Sequence, residues 1–407
     1  MTEGRSGAPV PFVVPLTLMI VSAVSILSTD MYTPSLPHLS DVFATTPETV
    51  KLTMSLNVLG FAVALLVFGP LSDRFGRRPV LLGGLVGFIV CTLGCAAAQS
   101  IGALIAARTL QGVMASVEAV IALAVIRDLY DEAGSVRILA VYGMVIALAP
   151  AAGPVIGGYV HVGFGWRANF ALLAVFGLAV TTMVWRCLPE SSAPDCTALR
   201  PGRVVGDYLR LFANRRYFAS AVVCGASLGG IYAFVTAAPF VFIDRLGVAT
   251  QHFGFYQAAI VAAYFLGSLA ANRLATRFAI APILRAGLWI SAAGGAASIA
   301  VLALGLESPV AITAAMALFA FGLGPVFATA PVWSLHAARA STGVAAALLS
   351  AVEMGGGAIG AFAVGIFHDG TAWPMAITVA AGSVVAMVAY KLAATAGPAP
   401  RSGEMAT

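Results

Sequence analysis

The chain is short of charge. Of 407 residues, only 10% are Asp, Glu, Lys or Arg, whereas 60% are hydrophobic. A soluble globular chain carries about 25% charge, so this one cannot cover a water-facing surface, and the mean hydropathy of +0.95 agrees. Lysine is nearly missing: Lys51 and Lys391 are the only two. The five cysteines and five histidines are scattered. No Cys/His group has metal-ligand spacing, and Cys91 and Cys95, one helical turn apart in an apolar run, read as small core residues. There is no phosphate loop and no nucleophile–base pair. The expectation is therefore not an enzyme, with no metal and no cofactor. A net charge of +5 gives no reason to expect a nucleic-acid partner, because the arginines gather at particular loops.

Long apolar runs are what the chain has instead. A helix needs about 20 apolar residues to cross the hydrocarbon, and twelve stretches qualify: 12–34, 49–70, 79–98, 102–126, 138–160, 167–187, 217–240, 253–271, 283–304, 310–331, 344–367 and 372–392. The class is an all-α polytopic membrane protein, with the bilayer itself as a partner. The first run is too long for a signal-peptide core and is read as an uncleaved span. The chain divides into an N-terminal six-helix bundle (1–187), a central cytoplasmic loop (188–214), a C-terminal six-helix bundle (215–393) and a tail (394–407). With the N-terminus inside, 18 of the 22 basic residues fall on the cytoplasmic side, so both termini are expected there.

The halves echo each other. GPLSDRFGRR (69–78) follows span two and SLAANRLATR (268–277) follows span eight; at this offset Asp73 meets Asn272, Arg74 meets Arg273 and Arg78 meets Arg277. Transporters are commonly built from such repeats, with the binding site near the midplane between them.

The loop GPLSDRFGRR also resembles the G-x-L-x-D-R-x-G-R-R/K signature of the major facilitator superfamily, through Gly69, Leu71, Asp73, Arg74, Gly76, Arg77 and Arg78. RTLQG (108–112) resembles the Arg-bearing motif of proton-driven members, and PAAGPVIGG (150–158) the G-P-x-x-G-G motif of drug antiporters. DMYTPSLP, RDLY (127–130), GWR (165–167) and HDGTAWP (368–374) resemble the Bcr/CflA branch. The resemblance runs from about residue 12 to 393. It implies the twelve-helix major facilitator fold in two pseudo-symmetric halves, a monomer in the bacterial inner membrane, and proton-coupled export of bicyclomycin-like, phenicol-like or other small drugs. Export of a host-made metabolite or antibiotic by the same mechanism is the alternative. The energy source would be the proton gradient. The second-half loop departs from the pattern at Asn272, span four carries an unusual Glu118, and Leu123 stands where many branch members have a second Arg.

Several residues invite chemistry. Asp30 stands late in span one, where a carboxylate costs several kcal/mol or more in lipid; burial disfavours the charged form of a carboxyl, which suits a proton carrier or an anchor for a cationic drug. The plain alternative is a helix-end acid among headgroups. Arg108, Gln111, Ala115 and Glu118 follow three- and four-residue steps and form one stripe on span four. Arg108 cannot carry protons but can pair with Asp30 or Glu118. Glu353 in span eleven either lines the cavity or reaches headgroups. Tyr32, Asn57, Gln111, Tyr232, Phe234, Tyr264 and Phe265 are candidates for a drug pocket. In the loop cluster, Asp73 is expected to cap a helix across the interface and Arg77 to pair with Asp128; the resemblance makes this cluster a conformational gate. Gly153, Pro154, Gly157 and Gly158 would let span five bend and pack closely, and the resemblance assigns them the sealing of the cavity against proton leak.

Overall fold

The computed structural model describes residues 11–192, 201–337 and 342–395. The first ten residues, 193–200 of the central segment, 338–341 and the tail from 396 lie outside the described residues. Among those described, twelve helical segments are long and apolar enough to cross a membrane. The elements are α1 (Val13–Asp30), a 3-10 turn (Thr33–Ser35), α2 (Leu36–Val42), α3 (Pro47–Phe75), α4 (Arg77–Ala97), α5 (Ile101–Leu129), α6 (Glu132–Phe164) and α7 (Trp166–Cys187). After the central segment come α8 (Pro201–Ala213), α9 (Arg215–Pro239) with a π-helical continuation (Phe240–Arg245), α10 (Thr250–Ala275), α11 (Ile280–Ala303), α12 (Pro309–Ala337), α13 (Thr342–Ile366) and α14 (Trp373–Thr395).

Local chemistry sets the breaks between spans. The side chains of Ser100, Asp131 and Asn214 accept from the backbone N–H three residues on, at 3.2, 2.9 and 3.1 Å, supplying partners for helix-start donors that lipid cannot satisfy. Gly76 and Gly165 stand between consecutive helices with φ of 94° and 83°. Those values strain any L side chain, so each glycine lets the chain reverse with almost no loop.

The second helix of each half ends in the echoed loop: Asp73 and Arg74 close α3, and Asn272 and Arg273 close α10. The loop ends with Arg74, Arg77 and Arg78, together with Arg127 and Arg215, mark one end of the bundle, called the basic end below. The two halves pack chiefly through α3 against α13 and α6 against α10. The central segment differs from the expected loop. Its second part is the helix α8, whose Leu211 packs with Tyr217, Ala345 and Leu348 and whose Tyr208 hydroxyl donates to the Leu66 carbonyl at 3.3 Å.

Away from the basic end the seam is tight. A side chain at Gly254 of α10 would collide with the Pro154–Val155 backbone of α6, and one at Gly158 with the Thr250 carbonyl. Glycine on both helices is thus what allows two backbones to touch.

Candidate functional site

Between the halves lies a cavity of about 540 Å³, the size of an ordinary small-molecule site. Its wall reaches Gly143 on α6, Pro331 on α12 and Met354 on α13, toward the basic end. Seven of the expected residues line it: Asp30, Asn57 and Glu118 from the first half, and Tyr232, Phe234, Tyr264 and Glu353 from the second. Glu353 lies eleven residues into α13, roughly 16 Å along the helix, so it faces the cavity and not the headgroups. Among the described residues, the cavity holds three carboxyl groups and no lysine, arginine or histidine. Phe61, Phe319 and Phe327 complete an aromatic wall.

Asp30 closes the last turn of α1 and is 7% exposed. Its place is set by α6: a methyl group added at Gly153 would sit 2.8 Å from the Asp30 Cβ, and one at Gly157 would strike the Met31 carbonyl. The motif glycines therefore do two jobs. Gly153 and Gly157 admit the end of α1, and Gly158 admits α10.

Arg108 corrects an expectation. It is fully buried, but no ion pair joins it to Asp30 or Glu118 among the described residues. Its Nη1 donates to the Ser28 carbonyl at 2.9 Å and to Gln111 Oε1 at 2.5 Å. The guanidinium lies 4.2 Å from the Tyr32 ring centre and 5.9 Å from that of Phe170, a cation–π arrangement worth up to about 2 kcal/mol when desolvated. Its Nε and Nη2 have no hydrogen-bond partner among the described residues. So Arg108 stands behind the cavity wall. Gln111 and Tyr32 stand behind the wall with it and do not line the pocket. Gln111 donates to Thr92 Oγ1 at 2.7 Å, and the Tyr32 hydroxyl bonds Thr53 Oγ1 at 2.7 Å. Phe265 does not line the cavity either, although Tyr264 beside it does. Asn57 spans both zones, lining the cavity while its Nδ2 donates to the Arg108 carbonyl at 2.7 Å.

Glu118 has a different partner from the one expected. It accepts a short hydrogen bond from the Ser22 hydroxyl, and Ser22 is in turn 2.7 Å from the Tyr142 hydroxyl. Three helices, α1, α5 and α6, therefore meet at one carboxylate.

At the basic end, Arg77 pairs with Asp73 at 2.6 Å and with Asp128 at 3.4 Å, the second as expected. Asp73 makes no cap across the interface among the described residues. The acid at a helix start is Glu190, which accepts from the backbone N–H of Arg77 and Arg78 at 2.9 and 3.2 Å and so complements the α4 dipole. Arg78 donates to the Trp185 carbonyl, and Arg74 stacks on Phe75 at 5.2 Å. Gly69 has room, its nearest neighbour being a Val120 methyl at 3.8 Å.

Sequence reasoning missed Gln257. It is 3% exposed on α10, lines the cavity, and its Oε1 has no partner among the described residues. The rule that singled out Asp30, a polar group inside an apolar span, applies to it equally. Because an unpaired buried acceptor carries a desolvation cost that a ligand donor relieves, Gln257→Leu is expected to weaken binding of an N–H- or O–H-bearing compound by about tenfold, with little effect on the maximal rate. Equilibrium binding and initial-rate transport on one preparation check this.

Comparison with known proteins fits this geometry. Residues 18–361 match the Major Facilitator Superfamily model. A bicyclomycin resistance protein homolog of Haemophilus influenzae is 30% identical over 93% of this chain and 95% of its own length. A chloramphenicol resistance protein of Pseudomonas aeruginosa is 29% identical over 89% of this chain and 86% of its own. Among solved structures, a bacterial homolog of the human lysosomal transporter Spinster, inward-facing and unoccupied, superposes with a TM-score of 0.75, covering 97% of this chain and 100% of that one at 14% identity. A transporter of twelve membrane helices in two six-helix halves, this chain belongs to the Major Facilitator Superfamily, in the branch that holds these bicyclomycin- and chloramphenicol-resistance relatives.

Proposed function

We propose that the protein is a proton-coupled exporter of small hydrophobic or weakly cationic drugs, working by alternating access. One observation carries this reading above the others: the cavity between the halves offers carboxyl groups from both sides and no basic side chain, inside a mostly apolar wall. Such a site holds a proton or a cationic ligand at the same acids but gains nothing from an anion. The names of the relatives point to bicyclomycin- and phenicol-like compounds.

In this reading the basic end is cytoplasmic, following the excess of arginine there, and the membrane is the bacterial inner membrane with both termini inside. The protein works as a monomer and draws on the proton gradient without a cofactor. The conformation is inward-facing: the seam is shut where α6 meets α10, and the cavity extends toward the basic end. Asp30 is the main proton carrier, with Glu118 and Glu353 as further acids. Arg108 biases Asp30 through space. The Asp73–Arg77–Asp128 cluster would change partners when the basic end closes. Tyr232, Phe234 and Tyr264 supply the apolar contact for the drug.

The test uses inverted membrane vesicles holding a pH gradient. Bicyclomycin, phenicols, fluoroquinolones and cationic dyes are added in turn, and proton movement is followed with a pH-sensitive dye. Loss of the gradient on adding a compound, absent in vesicles lacking the protein, is the expected result. No response to any member of the panel would overturn the drug-antiport reading.

A further inference from the structure

The other buried cation lies at the opposite end of the bundle. Lys51 is 2% exposed, one turn into α3, and it crosses the seam. Its Nζ donates to the Val364 carbonyl at 3.2 Å and lies 2.7 Å from His368 Nδ1. It also sits 4.9 Å from the centre of the Phe240 ring. All three partners belong to the second half. Val364 is in the last turn of α13, where carbonyls lack helical partners and a cation is favoured by the dipole. The methylene stem packs on Gly365, where an added side chain would meet Lys51 Cβ at 3.8 Å. An ammonium group has three donors and no acceptor. With Lys51 as the ammonium, the 2.7 Å contact uses a lone pair at His368 Nδ1, which only the neutral ring has.

We propose that Lys51 and His368 form a proton-sensitive latch between the halves: neutral His368 holds this end shut, and protonated His368 releases it. Protonation removes the acceptor and sets two cations within hydrogen-bond distance. A pocket of about 270 Å³ reaches the pair, so protons have access. Charged groups face His368 from several elements. Glu48 and Lys51 come from α3, and Asp369 is its chain neighbour. Asp244 and Arg245 line the same pocket from the π-helical segment, Arg245 being held by Glu307 at 2.8 Å and by the Gly370 carbonyl at 3.3 Å. Thr371, Pro374 and Met375 complete that wall and do not titrate. Burial first, and Lys51 second, hold the His368 ring below the ordinary imidazole value of 6.5, against the opposite pull of Glu48 and Asp369. The sign follows. A group whose value is lower in the closed form than in the open form favours closure above the open-form value, and that contribution fades as pH falls through the imidazole range.

That this end faces the acidic side of the membrane rests on the orientation proposed above; the latch itself does not. The test is a distance measurement. Spin labels are placed at Val42→Cys and Leu306→Cys, both exposed and on opposite halves, after the five native cysteines are replaced. The protein is held in nanodiscs without drug or gradient. Between pH 8 and pH 5.5 the long-distance population is expected to rise roughly threefold or more. His368→Asn, which keeps an acceptor but does not titrate, should stay closed at both pH values. Lys51→Met should be open at both, and Lys51→Arg, which keeps a donor to Val364, should be at least partly closed at pH 8. Asp30→Asn is run alongside and should keep the pH response, which separates the latch from the cavity acids. An identical distribution in wild type at both pH values, loss of the response in Asp30→Asn, or a closed fraction unchanged in Lys51→Met would overturn the proposal. Because no drug is present, failure to find a transported compound leaves this result standing on its own.

Discussion

Asp30→Asn is expected to reduce drug-driven proton flux to background, about a hundredfold or more, while the protein stays in the membrane at its normal level. The substitution keeps shape and removes titration. Shape matters here because Gly153 packs directly on the Asp30 Cβ, and Asn presents the same Cβ. Folding is therefore spared, and binding of a neutral compound should change by only a few fold. Proteoliposomes subjected to a pH jump, with flux and binding measured on the same preparation, separate the two effects. If the variant still pumps fully, the proton travels on Glu118 or Glu353, and the pairing of Glu118 with Ser22 and Tyr142 becomes the place to look. A variant that loses neutral-drug binding as strongly as flux would instead make Asp30 a part of the binding wall.

The second large effect concerns closure. Gly254→Val is expected to leave each half folded and to block the seam between them. The atoms that an added side chain meets are backbone atoms of Pro154 and Val155, which cannot swing aside like a flexible side chain. Overpacking of this kind costs about 1–3 kcal/mol, so the closed state falls by roughly ten- to a hundredfold relative to the open one. Export should drop by a similar factor, and a cysteine placed at the cavity residue Ile260 should become reactive toward an impermeant thiol reagent from the side away from the basic end. Gly83→Ala is the control, since nothing lies within 4 Å of the added methyl. Wild-type closure in Gly254→Val would mean that the helices part elsewhere.

Much of this was open to reading in the sequence because lipid imposes simple rules. Twelve apolar runs become twelve spans, and the arginines mark one end. Seven candidate residues reach the cavity because a polar group in an apolar helix has few other places to go. What could not be read was direction around the helix axis at the level of one residue. Arg108 and Gln111 share a face of α5 with Glu118, yet they turn behind the wall while Glu118 opens onto it; the Tyr32 and Phe170 rings pack against Arg108 there. Glu190 was invisible for another reason. Its partners are backbone N–H groups of α4, 112 residues and more away in sequence, and backbone donors leave no mark in a motif. Lys51 had no legible role for the same reason, since its partners Val364 and His368 lie 313 and 317 residues away in sequence.

The helix α8 has a mechanical consequence. A slack tether would let the halves rock freely, and its length would matter little. α8 is no such tether. It is joined to the second half through Leu211, Tyr217, Ala345 and Leu348, and among the described residues it meets the first half at Leu66, by packing and by the hydrogen bond from Tyr208. It therefore rides with the second half as a rigid arm, about 20 Å long at 1.5 Å per residue. Lengthening α8 itself would shift the fulcrum on which the halves turn.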